Sequence, residues 1–531
     1  MLIPIVLCKS SVSLASESGG YSMRLLIACA VFLGLSAPAH AEWRKSDTRH
    51  FTIYSEGSET ALREFSVKVE RFDTMLRKRY GIPDIDTPQK LTIYMLPTQV
   101  AVSKSYGEKS KDIAGYYSPR GEGSIAVVHR QNGNSKYLLD ADAVLFHEYA
   151  HHFMIRNFPV AYPAWFIEGF AEFYGTTDFT KDGKAKLGMP AYYRVYGLLD
   201  QAPIPAEKLL TLDVSDFDSK QLDSFYGRSW LLVHYLHFTP ARAGQLSKYL
   251  NAINGDATGI DAARTAFGDL DQLDKELKAY LGKSSIGYIQ QGVSTPAPER
   301  VDVAPVSPAF GATLMQRLAL MRNPDKDVLD ELIAALRASA AKYPDEADPQ
   351  LLLAEAHYLS DDDVAAVVAA DAALKLAPTL SRAMLVKGKA MTRLNIRNGV
   401  ADTVRWKEAR GWIVKANRAD VNDPMPLFAY YQSFGQQGLL PVSSSLDGLR
   451  RAYEMVPEDH KVRMTYASAL ATRKYYAAAI RLVGTVAFDP HNGPGAAEAR
   501  SILKRLHAAQ DGKVSGELDL FGDAMENKEG K

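Results

Sequence analysis

The sequence predicts an α+β domain followed by an all-α helical repeat domain. From about residue 42 to residue 285, strand-like alternation and helix-like apolar spacing are mixed. Between Ser294 and Pro308 the chain becomes rich in proline and valine, the composition of a linker. Beyond it the composition shifts to alanine and leucine, with prolines at near-regular intervals. A chain of 531 residues exceeds a single core. The expected division is an export segment over 1–41, the α+β domain over 42–285, a linker over 286–310, repeats over 311–510 and a polar tail over 511–531.

From Met23 the chain reads "MRLLIACAVFLGLSAPAHAEW". A basic Arg24, an apolar run from Leu25 to Leu35 and the site Ala39-His40-Ala41 have the form of a secretory signal cleaved after Ala41. Met23 is then the expected start, with residues 1–22 an upstream extension outside the fold. "LIAC" loosely resembles a lipoprotein processing site at Cys29, but the apolar run continues past it. That run is short for a transmembrane helix, and no later segment is apolar enough to span a bilayer. An exported, soluble protein is expected, periplasmic in a Gram-negative host. Cys8 and Cys29 both fall in the removed segment, leaving no disulfide and no thiolate ligand. The 62 Lys and Arg balance the 62 Asp and Glu, so no nucleic-acid or acidic-membrane partner is expected.

In the α+β domain, "HFTIYS" from His50 alternates as a strand. Glu59 to Gly81 has helical apolar spacing and stops at the glycine. "KLTIYMLP" from Lys90 is a strand ended by a breaker, and "GSIAVVHR" from Gly123 is another, entered through the turn "PRGEG". A helix follows, N-capped by Asp140 or Asp142 and running to about Asn157. The next starts after Pro163 and carries "AWFIEGFAEFYG".

In the repeat domain, helices are expected to end at Pro344, Pro378, Pro424, Pro457 and Pro490, at spacings of 34, 46, 33 and 33. The longest interval holds an insertion near "NIRNGVADTVRW". In "YASALATRKYYAAAIRLVGTVAFDP", Ala467, Leu470, Ala479 and Pro490 resemble the small, large, small and terminal positions of the tetratricopeptide repeat. Small residues let paired helices approach, and each pair buries its face only against the next. The resemblance implies a surface for a protein substrate or partner.

The chemistry gathers at "FHEYAHHF", Phe146 to Phe153. Positions i and i+4 of a helix share a face, so His147 and His151 point their imidazoles at one cation. Glu148 lies about 100° round from His147, close enough to reach a water beside the cation without ligating it. This is the HExxH arrangement. Zinc needs a third protein ligand and an open position.

Seventeen residues after His151, Glu168 stands in a W-[FL]-x-E-G-F-A pattern. That patch, with HExxH, resembles the gluzincin (peptidase MA-like) zinc metallopeptidases, particularly the aminopeptidase N-like branch. The resemblance implies a zincin-like fold and one Zn²⁺ per chain held by His147, His151 and Glu168, with Glu148 as the catalytic base. Glu172, one turn on, resembles the acid that orients a histidine ligand in the thermolysin branch. "FYGRSWLLVHYL", Phe225 to Leu236, resembles the helix that begins with a transition-state tyrosine, which places Tyr226 in that role. The aminopeptidases' G-x-M-E-N segment is absent; the nearest stretch, "GSIAVVHRQNG", has no acidic residue. An endopeptidase is therefore expected rather than a strict aminopeptidase, with an edge strand there pairing an extended peptide. His152 is rotated off the ligand face, and His234 and His237 are expected to be packing or surface residues. The alternative is a non-catalytic envelope scaffold, in which the repeats act and the zincin domain is structural or inactive.

Overall fold

A computed structural model of the chain describes residues 3–6, 42–86, 89–107, 113–131, 135, 137–158, 160–211, 219–254, 259–488 and 493–513. The expected signal, residues 23–41, lies outside them, as do Pro490 and the tail beyond residue 513. No described helix is long and apolar enough to cross a membrane.

The first part is built on strands β1 (Ile3–Val6), β2 (Arg44–Asp47), β3 (Phe51–Ser55), β4 (Leu91–Leu96), β5 (Ile113–Ser118), β6 (Ile125–His129), β7 (Asp178–Phe179), β8 (Ala185–Leu187), β9 (Ile289–Gln290) and β10 (Asp302–Pro305). Seven form a sheet in the order β1-β5-β6-β4-β3-β2-β10; β7, β8 and β9 form a small second sheet. β3, β4 and β6 run parallel, and β5 pairs β6 antiparallel. Its helices are α1 (Glu59–Tyr80), α2 (Gln99–Tyr106), α3 (Ala141–Asn157), α4 (Ala164–Gly175), α5 (Val195–Leu199), α6 (Ala206–Thr211), α7 (Ser219–Phe238), α8 (Gln245–Ile253), α9 (Gly259–Phe267) and α10 (Leu270–Leu281).

The period-2 side-chain alternation of each strand splits its residues between two cores. Phe51, Ile53, Leu91, Ile93, Ala126 and Val128 face α1 and α3 in the larger core. Tyr94, Leu96, Tyr116, Ile125 and Val127 face the other way, with Val102 of α2 and with Leu314 and Leu318 of the helix α11 (Pro308–Leu320). Helix α1 stops at Gly81, whose φ of 65° is the left-handed cap conformation that glycine adopts freely.

Three expectations are corrected here. The strand entered through "PRGEG", β6, is not an edge strand, because β5 lies on one side of it and β4 on the other. Every residue of β5 is buried, so it carries no alternation to read. The expected linker over 286–310 is not free, since β9 extends the small sheet and β10, within the Pro- and Val-rich stretch, pairs β2 antiparallel. The segment before Met23 is not wholly outside the fold, because Ile3–Val6 pairs antiparallel with the outer edge of β5. Ile3, Ile5 and Val6 are β-branched, and Pro4 is a residue that edge strands tolerate.

From α11 onward the chain is a helical repeat array: α12 (Lys326–Lys342), α13 (Ala347–Leu359), α14 (Asp363–Leu376), α15 (Ser381–Arg397), α16 (Thr403–Ala419), α17 (Met425–Gln436), α18 (Ser443–Met455), α19 (His460–Thr472), α20 (Tyr476–Ala487) and α21 (Gly493–Gln510). Odd and even members alternate as leading and returning helices, packed through small residues such as Ala356, Ala370, Ala467 and Ala479. Pro424 does not end a helix, as expected, but caps the start of α17, α16 having stopped at Ala419. Much of the long interval is helix length, since α15 and α16 run 17 residues each.

Candidate metal centre

Helix α3 begins where Asp140, rather than Asp142, accepts a hydrogen bond from the Ala143 amide at 2.7 Å. The helical repeat brings His147 and His151 together, with their Nε2 atoms 3.0 Å apart. Helix α4 starts after Pro163 and returns across α3. It sets Glu168 Oε2 3.3 Å from His147 Nε2 and 3.5 Å from His151 Nε2. A four-coordinate ion with bonds of about 2.0–2.2 Å holds its ligand atoms roughly 3.3 Å apart. The three edges of this triangle have that size, and all three residues are buried.

Glu148 is fully buried beside the triangle, and no side chain among the described residues hydrogen-bonds its carboxylate. Burial pushes its pKa up to about 8 against the pull of His147. Three buried carboxylates, Glu148, Glu168 and Glu172, face one buried guanidinium, Arg194, which Asp223 shares. Such an excess of buried negative charge calls for a cation. In the metal-free site a proton takes that place. Burial would lower His147, but the Glu168 and Glu172 carboxylates outweigh it and raise the imidazole well above its ordinary value.

Glu172 Oε1 lies 3.3 Å from His147 Nδ1, the nitrogen facing away from the triangle. A carboxylate there fixes the tautomer that leaves Nε2 for a metal. Arg194 Nη2 donates to the same Glu172 oxygen at 2.7 Å, and Nη1 donates to Asp223 at 3.0 Å. Burial would raise Glu172, but Arg194 and His147 hold it down at about 2. Arg194 and Asp223 were not expected. They lie 22 and 51 residues beyond Glu172, on a 3₁₀ turn and on α7, and no local periodicity ties them to it.

Tyr226 reaches the site because α4 and α7 cross closely at Gly169. A Cβ there would stand 2.5 Å from the Ser229 carbonyl oxygen. The Tyr226 ring lies 6.3 Å, centre to centre, from His147 and 4.7 Å from the Arg194 guanidinium carbon. Burial and the nearby carboxylates raise its pKa well above the ordinary value, so it is a neutral phenol. His152 turns away from the triangle, its Nδ1 3.0 Å from the Tyr117 hydroxyl. His234 is spent on the Gly188 and Gly287 carbonyls, both at 3.0 Å, and His237 stacks on Phe173. A second cluster, His50, Asp73 and Asp84, has the spacing for a metal too. Its Asp73 is already taken by Arg77 and the Tyr149 hydroxyl, so charge there is met within the protein.

No protein-family profile and no curated relative matches the chain. Among solved structures, one described as "MamA RS-1 ArsTM double mutant" matches at 16% identity, over 38% of this chain and 96% of that one, with a TM-score of 0.25. At that score the likeness carries no argument.

Proposed function

We propose that this chain is an exported zinc metallopeptidase of the gluzincin type, acting as an endopeptidase on peptide or protein substrates, with a tetratricopeptide-like array attached. The observation that carries it is the buried His147–His151–Glu168 triangle and, beside it, the buried carboxylate of Glu148, which no described side chain hydrogen-bonds. Two imidazoles and one carboxylate at four-coordinate spacing are a donor set that suits zinc, and the chain from Glu42 onward has no cysteine to compete. A bound ion would lower the pKa of a water and polarise the scissile carbonyl.

The remaining work falls to the chain. Glu148 takes the proton of the attacking water and passes it to the leaving amine. The Tyr226 phenol donates a hydrogen bond to the carbonyl oxygen as it gains charge, a contribution of about 3 kcal/mol. Glu172 and Arg194 hold the His147 ring in register. Removal of residues 1–41 on export would open the outer edge of β5, where Ile3–Val6 pairs antiparallel, to an extended peptide; β6 is paired on both sides.

A non-catalytic scaffold has no use for Glu148, since burying a carboxylate costs stability that no structural role here offsets. The test is zinc stoichiometry together with an unbiased peptide-library digest, on the natural chain and on Glu148→Ala. Cleavage lost with metal retained supports the proposal. Equal cleavage by both, or no metal in either, overturns it.

A further inference from the structure

The helical array does not hang free of the metal centre. Turn 119–123 between β5 and β6 is lodged against the leading helices of three successive pairs. Glu122 pairs with Arg120 at 3.3 Å and shares a cleft with Arg382, and the positive charge of Arg120, Arg382 and Lys389 holds its carboxyl well below the ordinary range. Gly121 lies so near α17 that a Cβ would stand 2.3 Å from the Met425 sulfur. Arg120 donates to the Met321 carbonyl, and Gln89 to the Asn422 carbonyl.

The deepest contact is Glu458, in the loop between α18 and α19, which is only 1% exposed. Its carboxylate accepts from Arg156 Nη1, at 3.1 Å to each oxygen. Arg156 lies on α3, five residues after His151. The same carboxylate accepts from Ser124 Oγ at 3.1 Å, Ser124 accepts from the Tyr117 hydroxyl at 3.3 Å, and that hydroxyl lies 3.0 Å from His152 Nδ1. Donors and acceptors run one way: imidazole N–H, phenol, alcohol, carboxylate. Tyr117, Ser124 and His152 are themselves buried. The chain therefore joins a residue of the array to the neighbour of a metal-ligand histidine without crossing solvent.

We propose that Glu458 is a positioning residue for the metal centre: through Arg156 and through Ser124, Tyr117 and His152, the helical array holds α3, and with it His147 and His151, against the sheet. The face of α15, α17 and α19 is on this view occupied by the chain's own β5–β6 turn rather than left open to a partner. The proposal rests on the metal-site reading but not on peptide cleavage.

The test is zinc affinity, by competition with a chromophoric chelator on the full chain, and the absorption spectrum of the cobalt-loaded protein. Three variants are compared: Glu458→Gln, the milder Ser124→Ala, and Asp363→Asn, which weakens a half-buried pair with Arg393 inside the array, away from α3. The expected result is a loss of zinc affinity of about ten- to hundredfold for Glu458→Gln, a smaller loss for Ser124→Ala, and a shifted cobalt spectrum in both. Asp363→Asn is expected to match the natural chain. If Glu458→Gln does not fold, Ser124→Ala decides alone. Unchanged affinity and spectrum in the folded variants, or an equal loss in Asp363→Asn, overturns the proposal. Failure of the peptidase reading would show separately, as zinc bound without cleavage.

Discussion

Arg194 donates to Glu172 at 2.7 Å, and Glu172 in turn stands 3.3 Å from the outward nitrogen of His147. A guanidinium on a turn outside α3 and α4 thus sets the ring of one proposed ligand. Arg194→Met leaves Glu172 and Asp223 buried without their cation. Breaking a buried pair on one side costs about 3–5 kcal/mol. The expected result is that much lost stability on denaturant unfolding, with a fall in zinc affinity of about ten- to hundredfold. Arg194→Lys is expected to recover little, because a single ammonium cannot span both carboxylates as the planar fork does.

Glu148→Gln separates chemistry from metal binding. Glu148 stands outside the ligand triangle, so metal content is expected to be unchanged. Loss of the proton acceptor is expected to lower kcat by about 10²–10⁴-fold. The same variant reports on stability. A carboxyl raised from 4.5 to about 8 favours the folded state only while protonated, so the metal-free protein loses stability as pH rises between those values. Glutamine has no such titration. Unfolding curves of the two metal-free proteins are expected to diverge across that window, with the variant the more stable at the alkaline end.

Zinc affinity is expected to depend on pH through His147. Its pKa is raised from 6.5 to about 10 in the metal-free protein, where Glu168 and Glu172 outweigh burial. The stability that proton brings is complete below the unfolded value and is lost as pH rises through the folded one. A metal ligand must be deprotonated, so binding releases that proton and affinity rises about tenfold per pH unit across the window. Calorimetry in two buffers of different ionisation enthalpy counts the proton. Affinity that is flat from about pH 7 to pH 9 contradicts the assignment of the charge to His147.

Helix α3 was legible because its information is local: Asp140 caps it, and His147, Glu148 and His151 follow its period. Glu168 and Tyr226 were readable only as patches resembling other proteins. Arg194 and Asp223 were not legible at all, because a contact made through the fold leaves no spacing rule in the chain. Strand β5 was missed for a related reason. Helices cover both its faces, so Ile113, Ala114, Tyr116 and Tyr117 are all buried and the alternation that marks a half-exposed strand is gone. Strands β1 and β10 have four residues each, too short for a pattern, and gain their pairing from open edges of the sheet. In the array the small-residue period was readable. That Glu458 would be buried against α3, some 300 residues earlier, was not.

Tyr226 and Gly169 offer a paired test of how the oxyanion donor is placed. Tyr226→Phe removes one hydroxyl and keeps the ring edge-on to His147 and against the Arg194 guanidinium. Loss of one preorganised donor is expected to reduce kcat by about 10²–10³-fold, with KM and zinc affinity little changed. Gly169→Ala acts on the same phenol from a distance. The new methyl would meet the Ser229 carbonyl at 2.5 Å and the Val233 side chain at 2.7 Å, so α7 must move away from α4. Tyr226 lies one turn before Ser229 on α7, while Glu168 is next to Gly169 on α4, so the shift separates donor and ligand together. Gly169→Ala is therefore expected to lower both kcat and zinc affinity and to destabilise the fold, the backbone clash being one a side-chain rotation cannot relieve. Adding Tyr226→Phe to Gly169→Ala should then reduce kcat by much less than it does alone, because the hydroxyl it removes is already out of place. Full additivity of the two losses, measured as a double-mutant cycle on kcat/KM, would show that Tyr226 does not act through its placement by the α4–α7 crossing.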